Sequence, residues 1–418
     1  MAGLNYVTFN QDHSLLAVAT TRGLRTYTTD PFELTITATD DDIAIVEPLF
    51  STSLIALITT PRLLRIINTK RNSTICELTF HGMVIAVKMN RKRMMIMLEE
   101  VVFIYDLSDM RLLHQQLTPL NAAGICALSP NSEHNYLALP HHQNIQSAPQ
   151  AASQPAHVPK PGVPEAISGD VLLYDLTKME EITVIQAHQA PLSCIAISND
   201  GTLMATASEK GTVIRVFALP SGKKLYQFRR GSMPARIYCM TFNATSTLLC
   251  VSSATETIHL FKLAPPNSNS ATQQTAPPHP TSPPDSPIST THPEPSPPSP
   301  TLTSTRQTPQ PRNPGFMSFV RRTSQNVSTG LVTRAAGYLP SSVTEMWEPQ
   351  RDFAWMKLPR STNASGAPVR SVVALAAASP HVLVATGDGW FYVYAVDLQK
   401  GGEGRLVKRV EFGDDLGT

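Results

Sequence analysis

Near the middle of the chain two adjacent arginines, Arg229 and Arg230, stand between an aromatic residue and a glycine in Gln227-Phe228-Arg229-Arg230-Gly231. Each guanidinium is a planar fork of N–H donors that suits phosphate oxygens. Successive side chains on a strand point to opposite faces, so two neighbouring arginines at a sheet edge address two different grooves. Gly231 removes a side chain where the backbone has to turn away. His188, Ser208, Thr212 and Arg215 come from the loops and strands on one side, and Thr255, Thr257 and His259 from the other. Both groups supply hydroxyl and imidazole donors, a lining suited to a polyhydroxylated, phosphorylated ring. The residues alone leave a second reading open, in which the arginines solvate a strand end and His188 is a structural histidine ahead of an inner strand.

The elements that position these residues follow from a repeat. An apolar strand, a polar turn, a second strand rich in Ala, Ser or Thr, a short turn and a third strand ending in an aromatic residue or Ile recur along the chain. The clearest copy is CIAISNDGTLMATASEKGTVIRVFAL, from Cys194 to Leu219. Seven copies have third strands ending at Tyr27, Ile67, Tyr105, Tyr174, Phe217, Phe261 and Tyr394. Their uninterrupted steps of 40, 38, 43 and 44 residues match the period of four-stranded propeller blades. Outer strands are expected at Phe32 to Thr37, Thr74 to Phe80, Leu112 to Leu117, Lys223 to Arg229, Phe353 to Leu358 and Leu406 to Phe412. The fold class is therefore all-β, a seven-bladed β-propeller of WD-repeat type occupying residues 1–418, with blade seven closed within its own sequence.

Two steps, of 69 and 133 residues, carry insertions. Residues 140–168, rich in Pro, Gln, Ala and His, read as a disordered insert in blade four. Residues 264–350 form a long insert in blade six, and 16 of the 50 residues in 265–314 are proline. Closure entropy grows only logarithmically with loop length, so such inserts are tolerated. Within 315–339, Phe316, Phe319, Val320, Val327, Leu331 and Tyr338 fall largely on one helical face, with Arg321 and Arg322 off it. This pattern suits an amphipathic, membrane-active segment, and equally a helix packed on the propeller. Its emergence from blade six beside the arginine pair favours the membrane.

With 34 basic and 32 acidic residues the formal charge is +2, so no bulk field points to nucleic acid and any anion must be held by a local patch. No run of 18 apolar residues is present and no signal-peptide pattern opens the chain, which predicts a cytoplasmic, peripheral protein. Cys76, Cys126, Cys194, Cys239 and Cys250 follow no zinc or redox spacing and are expected to be buried free thiols. No metal, cofactor or catalytic motif is found: there is no Gly-rich phosphate loop, no His-Glu-x-x-His and no Gly-x-Ser-x-Gly. The remaining alternative to a lipid reader is a scaffold that binds only proteins.

The stretch LYQFRRGSMPARIYCMTFNATSTLLCVSSATETIHLFKL, from Leu225 to Leu263, and PRLLRIINTKRNSTICELTF, from Pro61 to Phe80, resemble the PROPPIN family, the phosphoinositide-binding WD-repeat propellers of autophagy, and its fungal members in particular. The resemblance extends over all seven blades. It implies two sites for phosphatidylinositol 3-phosphate or phosphatidylinositol 3,5-bisphosphate. Arg229 would serve the first with His188, Ser208, Thr212 and Arg215, and Arg230 the second with Thr255, Thr257 and His259. It also implies that the blade-six insert enters the bilayer, and that Pro61 and Arg62 hold a large autophagy lipid-transfer protein at the forming autophagosome. Roles at endosome and vacuole come with the family, and self-association on membranes is left open. The chain departs from generic WD repeats in lacking their Trp-Asp endings, with Val216-Phe217 and Leu260-Phe261 instead.

Overall fold

The structure, a computed structural model, describes residues 3–38, 41–142, 167–263, 349–361 and 366–412. Among these the regular elements are all strands, arranged as seven sheets. Six sheets have four antiparallel strands, and the sheet of blade six gains a fifth. Within each blade the strands hydrogen-bond in chain order, from the innermost first strand to the outer edge. The chain is a seven-bladed β-propeller. The third strands end one or two residues past the positions expected, for example Val213–Ala218 and Thr257–Lys262.

Burial explains why the repeat is legible. Blade five's second strand, Leu203–Ser208, is buried along almost its whole length, because a strand in mid-blade is covered on both faces by neighbouring blades. Its small Ala and Thr side chains fit the crowding near the axis. Outer strands meet solvent and alternate, as Ser73–Thr79 does. The buried apolar side chains form one cluster at each of the seven blade–blade junctions, so no blade buries its faces alone.

Blade seven consists of Ser371–Leu375, His381–Thr386, Trp390–Ala395 and Arg405–Glu411, all from one continuous stretch of sequence. The ring therefore closes on blade one through side chains, without strand exchange. Phe32 stacks on Phe391 with ring centroids 4.1 Å apart, and Tyr27 packs against Phe412 at 5.9 Å. His13 reinforces the seam, its Nδ1 3.1 Å from the Leu375 carbonyl and its Nε2 2.9 Å from the Thr241 hydroxyl. Burial pushes its pKa down.

The insert boundaries shift. Pro140 pairs with Val171 and His142 with Ile167, so residues 140–142 and 167–168 are strand rather than insert. The ladder there is long enough to pair them in spite of the proline. At the far end of the blade-six insert, Gln350 is hydrogen-bonded to blade five and so belongs to the propeller. Residues 264–348, including the expected amphipathic segment 315–339, lie outside the described residues. A further strand not foreseen from sequence, Gly402–Glu403, runs parallel to blade six's outer strand, Ala354–Lys357.

Antiparallel order also decides which residues share an end of the ring. The turns between second and third strands lie at the same end as the C-terminal tips of the outer strands. Glu209–Thr212, the tip at Arg229 and Arg230, the Ala254–Glu256 turn and the Pro61–Arg62 turn are therefore all at one end.

Candidate functional site

Blade five's outer strand, Lys223–Arg229, carries the arginine pair at its tip. Phe228 anchors that tip: it is 1% exposed and stacks on Phe261 of blade six with centroids 4.8 Å apart. A fully buried aromatic of this kind stabilises the junction by roughly 1.5–3 kcal/mol. With Phe228 committed to the junction with blade six, strand alternation turns Gln227 and Arg229 toward blade four. The ladder agrees, pairing Arg215 with Gln227 and Val213 with Arg229.

The first cleft lies between blades four and five. It has a volume of about 580 Å³, and His188, Ser208, Thr212 and Arg215 all line it. Arg229 sits on the same face at the tip, exposed, outside the lining set. Its side chain makes no hydrogen bond or ion pair among the described residues. Arg215 is held in place: Nε donates to Gln227 Oε1 at 3.1 Å, and one terminal nitrogen donates to the Ala187 carbonyl at 3.0 Å and to His188 Nδ1 at 2.7 Å. Because arginine can only donate, His188 Nδ1 is the acceptor, and Nε2 then carries the proton facing Thr206 Oγ1 at 2.9 Å. Burial and the neighbouring Arg215 charge push the His188 pKa down to about 4. Both ring nitrogens are thus satisfied within the protein, and His188 acts on the cleft through Arg215.

The other face of the strand tip meets blade six. Arg230 is 7% exposed. Its Nε donates to the Gly211 carbonyl at 2.7 Å, one terminal nitrogen to Thr255 Oγ1 at 3.4 Å and the other to the Met233 carbonyl. No carboxylate pairs with it among the described residues, and burial lowers its pKa without discharging it. Thr255 also bonds Ser253 Oγ at 2.9 Å, and Thr257 Oγ1 reaches the Thr255 carbonyl at 3.3 Å. His259 lies on the same face of its strand as Thr257 and Phe261, and its Nδ1 is 2.9 Å from Asp352 Oδ2.

Several residues at the site have no signature in the sequence. Gln350, on the return from the insert, accepts from the Arg229 N–H at 2.8 Å and donates to the Gln227 carbonyl at 3.1 Å. Asp352, two residues on, holds His259. Lys210 and Lys224 line the first cleft. Gly231 needs correction. A Cβ there would meet open space, whereas one at Gly211, with φ +57°, would come within 1.9 Å of the Ala235 carbonyl. The sterically required glycine is the one that offers its carbonyl to Arg230.

The free thiols are only in part as expected. Cys250 is buried, but Cys76, Cys126, Cys194 and Cys239 are half-buried, and the last three line the cavity around the ring's axis. Among the described residues no group of three or more His, Cys, Asp or Glu is placed to hold a metal, and no helix is long and apolar enough to cross a membrane.

The PROPPIN family model matches residues 3–148 and 154–277. The chain belongs to the PROPPIN family. Fungal relatives agree along the whole length: Autophagy-related protein 18 of Neosartorya fischeri is 51% identical, covering 99% of this chain and 98% of its own, and that of Aspergillus clavatus is 52% identical, covering 97% and 99%. The role that comes with this PROPPIN membership is phosphoinositide binding in autophagy. Among solved structures, the complex of KlAtg21 with the coiled-coil of AgAtg16 superposes with a TM-score of 0.64 at 27% identity, over 99% of this chain and 100% of that one. Kluyveromyces lactis Hsv2 with complete loop 6CD reaches 0.67 at 15% identity, over 99% and 100%, a likeness of fold. In this PROPPIN chain the blade-two turn is exposed at Pro61 and Arg62. Arg62 Nε donates to the Phe80 carbonyl at 2.9 Å, and the Phe80 N–H donates to the Arg62 carbonyl at 2.9 Å. Blade five has the same backbone contact, from the Arg230 N–H to the Thr212 carbonyl at 2.9 Å.

Proposed function

We propose that the chain is a non-enzymatic reader of phosphatidylinositol 3-phosphate and phosphatidylinositol 3,5-bisphosphate that brings autophagy machinery, including a large lipid-transfer protein, to the forming autophagosome, with further work at endosome and vacuole. The observation that carries this reading is one strand tip that sends two carboxylate-free guanidinium groups to opposite faces, Arg229 to the edge of the polar cleft shared with blade four and Arg230 to the hydroxyl-bearing turn of blade six. The first headgroup site takes Arg229 and Arg215, with Ser208 and Thr212 as hydroxyl partners and His188 as the support of Arg215. The second takes Arg230 with Thr255, Thr257 and His259. A buried, unpaired cation such as Arg230 is costly until an anion approaches, which favours a phosphate as its partner.

A single wet site binds weakly, because phosphate contacts replace good hydrogen bonds to water. Two sites on one rigid body meet the same membrane, so the second contact forms at high effective concentration. The segment 315–339 then adds apolar burial through Phe316, Phe319, Val320, Val327, Leu331 and Tyr338. Pro61 and Arg62, three blades from the pair, hold the lipid-transfer partner.

Flotation on vesicles with and without phosphatidylinositol 3-phosphate tests the reading. The wild type floats selectively, and a chain with both Arg229 and Arg230 changed to Thr does not. Selective flotation of that double variant, or none by the wild type, leaves the protein-only scaffold as the better reading.

A further inference from the structure

The cleft between blades four and five extends further than the residues first assigned to it. Its lining runs from Ser208, Thr212 and Arg215 to Lys224. Lys224 pairs with Phe217 across the ladder, whereas Arg229 pairs with Val213. Those two levels are separated by roughly 13 Å of extended third strand. Phe217 packs into the junction with blade four, so its partner Lys224 lies on the face that Arg215 and Gln227 share. Lys224 is exposed and makes no ion pair among the described residues.

Charge makes the second point. The lining holds three cations, Lys210, Arg215 and Lys224, against one carboxylate, Asp170, and Arg229 stands at its edge. A phosphate monoester carries about −1.5 to −2 charges near neutral pH, so one such group at the Arg215 end leaves Lys224 uncompensated. The volume of about 580 Å³ falls in the range of a complete small-molecule site. A compact ammonium on a flexible stem can follow a phosphate along the cleft, where a guanidinium fork would demand one fixed geometry.

We propose that Lys224 is a specificity-determining residue that takes a second ring phosphate, opposite the one held by Arg215 and Arg229, and so sets the preference of the first site for bisphosphorylated over monophosphorylated lipid. This rests on the phosphoinositide reading of that cleft. Because Lys224 is solvated, its charge tunes selectivity and leaves basal binding to the arginines.

Lys224→Met keeps the apolar stem and removes the charge, and Lys224→Glu reverses it. Calorimetry on the full chain with soluble inositol 1,3-bisphosphate and inositol 1,3,5-trisphosphate, the headgroups of the two lipids, reads the effect. Lys224→Met is expected to lower trisphosphate affinity at one of two sites by about five- to tenfold and bisphosphate affinity by less than about twofold. Lys224→Glu should widen that gap. Equal losses for both ligands, or none for either in both variants, overturn the assignment. A wild-type chain that binds neither headgroup overturns the phosphoinositide reading itself, and the assignment with it.

Discussion

Arg229 and Arg230 are neighbours of the same residue type, yet the fold treats them differently. Arg229 is exposed, with its side chain free of protein partners among the described residues, and only its backbone is tied, to Gln350. Arg230 is buried and satisfies the carbonyls of Gly211 and Met233. The first can change its rotamer to meet a ligand. The second is already held in place and is part of what keeps the turns of blades five and six together. The comparison teaches that one motif can divide into a side chain left free to reorient and a side chain that supports the fold. The Arg230 side is thus preorganised. On the Arg229 side the organised element is Arg215, fixed by His188.

The sharpest way to break this contrast is Arg230→Met. Losing a buried donor set leaves two carbonyls without partners, so stability in chemical denaturation should fall by about 3 kcal/mol. Headgroup binding at the second site should vanish with it. A variant as stable as the wild type would show that Arg230 has no structural share.

Second in size is a pH effect confined to the first cleft. His188 has a folded pKa of about 4, below its unfolded value near 6.5. Between these values the unfolded chain binds the extra proton, so stability rises with pH and is lost as pH falls from 6.5 toward 4. At pH 5 the loss should reach about 2 kcal/mol, and His188→Gln should lack this component. Comparing the two chains at pH 7.5 and pH 5 isolates it, since all other titrating groups are shared. Protonation of the folded chain also removes the acceptor for Arg215, so headgroup binding at the first site should hold at pH 5 and weaken only as the pH approaches 4. Equal pH slopes in the two chains would contradict the neutral, accepting His188.

The smallest effect belongs to Arg229→Ala. Vesicle affinity should drop about tenfold, near 1.4 kcal/mol, while folding stability stays within about 0.5 kcal/mol of wild type. A stability loss comparable to that of Arg230→Met would erase the distinction between the two arginines.

Much of this was legible from the chain itself. Four-stranded blades repeat at about forty residues because each must bury two faces, and that demand writes the same apolar pattern seven times. The opposite facing of Arg229 and Arg230 follows from strand alternation, and Ser208, Thr212 and Arg215 fall in one cleft because they share a short stretch of one blade. Gly231 drew attention by standing beside the arginines, although the tightly packed glycine is Gly211.

What the tertiary structure alone decided are the partnerships between distant segments. Gln350 bonds the strand tip from beyond the long insert, and Asp352 holds His259 from the same return segment. The direction of the His188 hydrogen bonds, and hence its neutral state, depends on where Arg215 comes to rest. Lys224 enters the first cleft because a register shift between Val216 and Phe217 of the neighbouring strand sets which face it takes. Strand periodicity is a local property that each residue's own burial imposes, so it survives in the sequence. Hydrogen-bond partners, tautomers and shared clefts depend on how blades and returning chain meet in space, and no local pattern encodes that.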